Sequence, residues 1–117
     1  MHVAALQARH ALGHVQILTT DEVLAEFMTA LSGRGSFFRQ IAVGTVRTLL
    51  NDKMVTVLSQ SRETFLAALD FYENRPDKEY SLTGCGSMLT MRRHGISDVL
   101  TNDHHFTQEG LHILIPQ

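Results

Sequence analysis

The sequence has little of three features that would assign a protein quickly to a class: cysteine, long apolar runs and an excess of charge of one sign. A single cysteine excludes an internal disulfide and fits a reducing compartment. No apolar run approaches membrane-spanning length, and the first residues carry no signal-peptide pattern. We therefore expect a cytoplasmic protein without a membrane partner. Because the net charge is only −2, contact with a polyanion would need a local cluster of charge or a metal ion.

An alternation of strand-like and helix-like patterns runs through most of the chain. Its 117 residues, 44% of them hydrophobic, suffice for one core, so we expect a single domain over residues 1–117. The strand patterns cover residues 14–18, 54–58, 96–100 and 111–115. The helix patterns between them cover residues 19–31, 37–51, 59–73 and 81–94. Alternation at this spacing predicts an α/β fold with βαβ units, a parallel sheet and helices on both of its faces.

The first 13 residues have the composition of a helix. Alanine occurs four times and leucine twice, and Gly13 stands where such a helix would stop. The pattern predicts that the chain opens on a helix, as though the strand that often begins an α/β sheet were absent.

Two later helix starts carry capping patterns. Thr19 and Glu22 have the spacing of a capping box. Ser81 stands where the N-cap of the helix in residues 81–94 belongs, and Gly95 is a stop signal after its last turn.

Two carboxylates have the best placement for chemistry. Glu26 lies in the first helix after a strand, and Asp103 follows the carboxyl end of the strand pattern at 96–100. Ligands of α/β sheets gather beyond the carboxyl ends of the strands. If the two carboxylates meet there, they can hold a divalent cation such as Mg²⁺ or Mn²⁺, which activates water and stabilises charge on phosphate. The alternative is that both are ordinary surface acids.

Residues near these acids permit weaker interpretations. The three-letter signature of the DHH phosphoesterases occurs at Asp103, His104 and His105. If the two histidines were metal ligands, their imidazoles would favour Zn²⁺ or Mn²⁺. The simpler interpretation is that both histidines are exposed in a turn. Asp98 is interpreted as the start of a strand. Cys85 is interpreted as a small core residue in a stripe with Leu82, Leu89 and Arg92, beside Met88 and Met91, and not as a nucleophile.

A group of basic residues is a candidate for binding the substrate. Arg92 and Arg93, with Arg75 and Lys78, could form a rim that contacts phosphate. The alternative assigns the two adjacent arginines to the helix C-terminus, where positive charge suits the helix dipole, and the other two to a solvated loop.

Two segments of the chain are TTDEVLAEFMTAL and YSLTGCGSMLTMRRHGISDVLTNDHHF. Together they resemble the PIN-domain family of small metal-dependent ribonucleases, which includes the VapC-like toxins of bacterial toxin–antitoxin pairs. The resemblance extends to Ile115. It implies a three-layer α/β/α fold with a mostly parallel sheet of about four strands. It also implies RNA phosphodiester hydrolysis with Mg²⁺ or Mn²⁺ as cofactor. The implied partners are RNA, an antitoxin protein and further copies of the chain.

The resemblance also assigns residues. Glu26 and Asp103 would be the metal ligands and catalytic acids, and Thr101 would orient water or Asp103. Two family aspartates have no counterpart: Gly84 stands at the position near the start of the central helix, and no segment matches the one in an amino-terminal strand. Residues 1–13 look like the helix that normally follows that strand, so we expect an N-terminally truncated domain.

These departures leave the function open between three hypotheses. Two carboxylates offer a cation few anionic oxygens, so Mg²⁺ should bind weakly. A missing central strand would expose backbone edges, which dimer contacts or strand exchange would have to cover. The chain is then a weak metal-dependent ribonuclease, or a non-catalytic PIN module that binds a protein partner or RNA. The third hypothesis is an unrelated doubly wound α/β domain with a small-molecule site.

Overall fold

A computed structural model describes residues 5–11, 14–101 and 103–113 of the chain. The described strands are β1 (Ala5–Ala11), β2 (His14–Thr20), β3 (Val55–Leu58), β4 (Asp98–Leu100) and β5 (His112–Ile113). The α-helices are α1 (Asp21–Ser32), α2 (Ser36–Asn51), α3 (Arg62–Glu73) and α4 (Leu82–Arg93), and a 3₁₀ helix covers His104–Glu109. Every helix and strand predicted from residue 14 onward is therefore present. The ends that the structure describes differ from the predicted ends by three residues or fewer.

The strands form one five-stranded sheet in the order β3-β2-β1-β4-β5. β2 pairs with β3 in parallel, and β4 pairs with β5 in parallel. β1 lies between the two pairs and runs antiparallel to both of its neighbours. The α/β class is confirmed, although the sheet has five described strands instead of about four.

Residues 5–11 of the amino-terminal segment form the strand β1. The prediction of a helix over residues 1–13 is therefore wrong for these residues. The β1 backbone pairs with β2 in the register Leu6↔Leu18 and with β4 in the register Leu6↔Val99. Alanine and leucine favour a helix only weakly, and pairing with a strand on each side outweighs that preference. β1 therefore occupies the central position that was predicted to be empty. It contains no acidic residue, so the family's amino-terminal aspartate still has no counterpart. Residues 1–4 and 12–13 of that prediction lie outside the described residues.

The start of α1 lies one residue later than predicted. Thr20 is the N-cap, and its Oγ1 accepts a hydrogen bond from the backbone N–H of Val23 at 3.3 Å. The capping box predicted for Thr19 and Glu22 is wrong by one residue, because Glu22 occupies the second helical position and not the third.

Both ends of α4 follow the prediction. Ser81 caps the helix, accepting a hydrogen bond from the backbone N–H of Gly84 on its Oγ at 2.9 Å. At the other end Gly95 has a positive φ of 65°, and the N–H of Ile96 donates to the carbonyl of Met91 at 2.8 Å. These features form a Schellman-type stop, which glycine allows because it carries no Cβ.

The interior face of α4 is the centre of the core. Cys85, Met88 and Met91 have no exposed surface, and they pack with the equally buried Val99 and Phe106. This confirms Cys85 as a core residue, and burial raises the pKa of its thiol. The predicted stripe is shifted, however: Leu82 and Leu89 are only half-buried, and Arg92 is exposed.

Two further features of the described residues bear on the predictions. Asp98 is the first residue of β4, and its Oδ1 lies 3.2 Å from the Nδ1 of His112 on the neighbouring strand. This placement agrees with its interpretation as a strand-start residue. No helix in the described part of the chain is long and apolar enough to cross a membrane.

Candidate functional site

The carboxyl end of β2 leads into a surface on α1 that carries two glutamates. Glu22 and Glu26 are one helical turn apart and therefore lie on the same side of α1. Both line a shallow groove whose opposite side includes Thr83, the residue before Gly84. The predicted site residue Glu26 is thus half-buried and faces the start of α4.

Glu22 is a residue that the sequence analysis missed as a site candidate. Its Oε1 is buried and has no hydrogen-bond partner. Burial raises the pKa of the Glu22 carboxyl; a hydrogen bond with its own backbone opposes the shift, and the neighbouring Asp21 adds to it. The four-residue spacing from Glu26 was the one available signal, because it places two carboxylates on the same helix face.

A second groove, of about 330 Å³, continues from this surface. It lies between α3 and α4, beside Thr20 and Leu58 at the carboxyl ends of the parallel strands β2 and β3. Glu22 and Thr83 line both grooves, so the surface is continuous. Its remaining lining residues are Ser59, Gln60, Thr64, Phe65, Ala68, Leu82, Gly86, Leu89, Thr90, Arg93 and His94. The predicted basic residue Arg93 therefore faces this groove together with His94.

Asp103 caps the 3₁₀ helix that follows β4. Its Oδ1 accepts a hydrogen bond from the backbone N–H of His105 at 3.0 Å and lies 2.8 Å from the Nδ1 of the same residue. Its backbone N–H donates to the Oγ1 of the fully buried Thr101 at 3.1 Å. This hydrogen bond holds the backbone at Asp103, and the role of Thr101 in orienting water or Asp103 stays a prediction. Asp103 is not among the residues that line either groove, so its convergence with Glu26 stays a prediction.

The other predicted basic residue, Arg92, contacts an acid that the sequence analysis did not single out. Glu109 has a side chain that is only 9% exposed, and both of its oxygens are hydrogen-bonded. Arg75 donates from Nε and Nη2 at 2.9 Å each, Arg92 donates from Nη2 at 2.8 Å, and the Tyr80 hydroxyl donates at 2.8 Å. Arg75 also lies 3.5 Å above the ring of Phe71. Arg75 and Arg92 are therefore held in this cluster, and Arg93 is the arginine placed at the groove.

The Glu109 cluster shifts the pKa values of its members. Hydrogen bonds from Arg75 are the main cause that lowers the pKa of Glu109, against the effect of burial. Burial and the hydrogen bond to Glu109 raise the pKa of Tyr80 to about 12. The hydrogen bonds of the cluster join the loop after α3 to α4 and the 3₁₀ helix, and the contact of Arg75 with Phe71 reaches α3, so its geometry indicates a structural role.

Comparison with known proteins gives a match at the level of structure. No family model and no curated protein matches the sequence of this chain. The structure, however, is similar to that of VapC20 of Mycobacterium tuberculosis, a toxin that cleaves the sarcin–ricin loop. The TM-score is 0.72 at 25% sequence identity, and the match covers 85% of this chain and 74% of the toxin. The chain adopts a VapC-like PIN fold. This match overturns the third hypothesis, that of an unrelated doubly wound domain.

Gly84 is the position in this PIN fold where the resemblance expects an aspartate. It is buried at the third position of α4, and a Cβ added there would meet the Oγ of Ser81 at 3.0 Å. The obstacle is the N-cap oxygen of α4, so a larger residue at this position requires Ser81 Oγ to shift by a few tenths of an ångström and strains its hydrogen bond with the Gly84 N–H.

The acids of this PIN fold do not form a complete metal site in the described part of the chain. Across residues 5–11, 14–101 and 103–113, no three His, Cys, Asp or Glu side chains come together in a group that could hold a metal ion. Mg²⁺ can be held by one or two carboxylates together with water and substrate phosphate, but with so few protein ligands its binding would be weak, so the described residues do not form a site for a tightly held resident ion.

Proposed function

We propose that this chain is a ribonuclease-type PIN module that acts on RNA. The proposal is supported by the structural match to a toxin that cleaves an RNA loop, together with Glu26, Thr101 and Asp103 at the positions where the resemblance expects site residues. The RNA would lie along the groove between α3 and α4, with Arg93 near its phosphates and the α1 glutamates at its other side.

The incomplete acidic cluster limits the expected activity. No group of three possible metal ligands is present among the described residues, so a metal ion would be held by few carboxylates and mostly by water or substrate phosphate. Any cleavage is therefore expected to be weak and to need a large excess of Mn²⁺ or Mg²⁺. Glu22 is the further carboxylate that could assist Glu26, since one of its oxygens has no other partner.

A second candidate function is a non-catalytic PIN module that binds RNA or a protein partner. It is favoured by the glycine at position 84, by the absence of an acid in β1 and by the contact of Asp103 with His105. On either candidate, an antitoxin-like protein, further copies of the chain and a cytoplasmic location are part of the proposal.

Cleavage and binding assays on one labelled stem–loop RNA separate the two candidates. If the chain cleaves, product should increase with Mn²⁺, and Glu26→Gln and Asp103→Asn should each abolish it while Glu79→Gln, in an exposed loop, should not. RNA binding by fluorescence anisotropy without cleavage at any Mn²⁺ concentration would reject the enzyme and support the binding module. If the chain neither binds nor cleaves this RNA, a role on this RNA is rejected.

Restoring the acid at position 84 tests the assignment of site residues. Gly84→Asp should increase the affinity for Mn²⁺ about tenfold or more, because it adds an anionic oxygen ligand next to Thr83, which lines the groove with Glu22 and Glu26. Isothermal titration calorimetry measures this change, and Gly84→Asn is the matched control because it has the same shape without the charge. Equal affinities for the two variants would count against the assignment.

A further inference from the structure

Phe65 is an aromatic residue that lies at the groove between α3 and α4. It is half-buried, and it lies outside the cluster of buried residues that forms the core of the described part of the chain. It lines the groove of about 330 Å³ and also a neighbouring depression, which it shares with Gln60, Ser61 and Arg62. Phe65 therefore presents aromatic surface to a ligand that enters the groove.

The cap of α3 holds the backbone at Phe65. Ser61 is the N-cap, and its Oγ accepts a hydrogen bond from the N–H of Thr64 at 3.1 Å, while its own N–H donates to the Oγ1 of Thr64 at 2.9 Å. The N–H of Phe65 donates to the carbonyl of Ser61 at 3.0 Å. Because Phe65 lies in the first turn of a capped helix, a contact with its ring costs little ordering of the backbone.

Positive charge lies close to Phe65. The guanidinium of Arg62 is 5.7 Å from the centre of the Phe65 ring, within the range of a cation–π contact. Arg93 and His94 line the same groove at the end of α4, and the acid described in its lining is Glu22, on α1. A base that contacts the ring thus has basic side chains nearby for the phosphates of its strand.

We propose that one unpaired base of a bound RNA stacks on Phe65. This inference rests on the proposed function, because it requires RNA in the groove. Stacking on a side chain needs a base that is free of a duplex. A groove of about 330 Å³ suits a single nucleotide, since sites for one small ligand begin at about 300 Å³. The two arginines favour a nucleotide over an apolar peptide as the occupant. Phe65 is then a positioning residue, which fixes where the strand lies along the groove.

Abasic nucleotides test this contact directly. Each loop nucleotide of the labelled stem–loop RNA is replaced in turn by an abasic one, and fluorescence anisotropy gives the dissociation constants for the wild type and for Phe65→Leu. At one loop position the abasic nucleotide should raise the dissociation constant of the wild type about tenfold, within the range for stacking of a base on an aromatic side chain. The same nucleotide should change the dissociation constant of Phe65→Leu by less than about twofold, because leucine offers no ring on which the base could stack.

Two further variants separate stacking from a structural role of the ring. Phe65→Trp keeps an aromatic face, so it should keep both the affinity for the intact RNA and the loss at the same abasic position. Phe37→Leu removes an exposed ring on α2 that lines neither the groove nor the depression, and it should behave as the wild type does.

The outcomes distinguish this inference from the proposed function. If the RNA binds but no abasic position separates the wild type from Phe65→Leu, the stacking contact is overturned and the proposed function stands. If the wild type does not bind the RNA, both are overturned. If Phe65→Leu fails to fold, shown by circular dichroism, ultraviolet cross-linking of the wild type to the same RNA replaces it. An adduct at Phe65, located by mass spectrometry, then supports the contact, and the lack of one overturns it.

Discussion

Glu109 and Glu22 are the same side chain in opposite surroundings. Both oxygens of Glu109 accept two hydrogen bonds each, from two arginines and a tyrosine, and its pKa is lowered. One oxygen of Glu22 is buried without a partner, and its pKa is raised. A carboxylate whose hydrogen bonds are complete stabilises the fold, whereas one with an unused oxygen in a groove is available to a ligand. The comparison separates a structural acid from a candidate site acid, and three substitutions test it.

The largest effect is expected from Glu109→Gln. The substitution removes the charge that holds Arg75 and Arg92, and we expect it to lower the free energy of unfolding by about 2 kcal/mol, the range for hydrogen bonds to charged groups. Urea denaturation measures this change. Glu79→Gln, in the exposed loop, is the control and should change stability little. A loss for Glu109→Gln no larger than the control would show that the cluster does not stabilise the fold.

The difference in stability between wild type and Glu109→Gln should depend on pH, in a direction that follows from the lowered pKa of Glu109. The folded state lowers the pKa of Glu109 below its usual 4.5. Its stabilising contribution is therefore present above pH 4.5 and is lost as the pH falls through the folded-state pKa. The difference in stability between wild type and Glu109→Gln should shrink in that acidic range, and urea denaturation at a series of pH values would show it.

A smaller effect is expected from Tyr80→Phe. Loss of the hydroxyl that donates to Glu109 should cost about 1 kcal/mol. Ultraviolet titration provides a second readout, because the pKa of Tyr80 is raised to about 12 and that of an exposed phenol is ordinarily about 10. The contribution of Tyr80 to stability should be lost between these two pH values as the phenol ionises. If the high-pH titration step disappears in Tyr80→Phe, the step belongs to Tyr80. If the step persists in this variant, its assignment to Tyr80 is refuted.

The smallest effect, with the opposite sign, is expected from Glu22→Gln. Because burial disfavours its charge, the neutral amide should leave stability unchanged or raise it by up to about 0.5 kcal/mol at neutral pH. The folded-state pKa is raised, so any gain should vanish as the pH falls below 4.5, where wild-type Glu22 is also neutral. A clear loss of stability at neutral pH would mean that Glu22 is a structural acid like Glu109. Calorimetry should also show weaker Mn²⁺ binding for this variant if Glu22 assists Glu26.

Much of the fold could be predicted because local signals agree with it. Ser81 and Gly95 bound α4 through cap geometry that depends on a few neighbouring residues. β1 could not be predicted in this way, since its alanines and leucine favour a helix and only pairing with β2 and β4 makes it a strand. The helix start at Thr20 was missed by one residue because Thr19 is an equally good cap by composition.

The candidate site was predictable in part. Glu26 was identified from its place after a strand and from the PIN resemblance, Arg93 was identified from a local group of basic residues, and both line the continuous groove. Arg92 was grouped with Arg93 because the two are adjacent, but it points to Glu109, which is 17 residues away along the chain. Glu22 was missed because an acid in the first turn of a helix is ordinary, and its unused oxygen exists only in the packed structure.

The sequence by itself determined the alternation of helices and strands, the caps of α4 and the motifs of the PIN resemblance, because these depend on residues close together along the chain. Only the tertiary structure decided that β1 is central and antiparallel, that Glu109 is fully hydrogen-bonded and that Glu22 is not. Strand pairing and the hydration of a carboxylate depend on distant residues brought together by packing, and a single sequence does not specify those contacts locally.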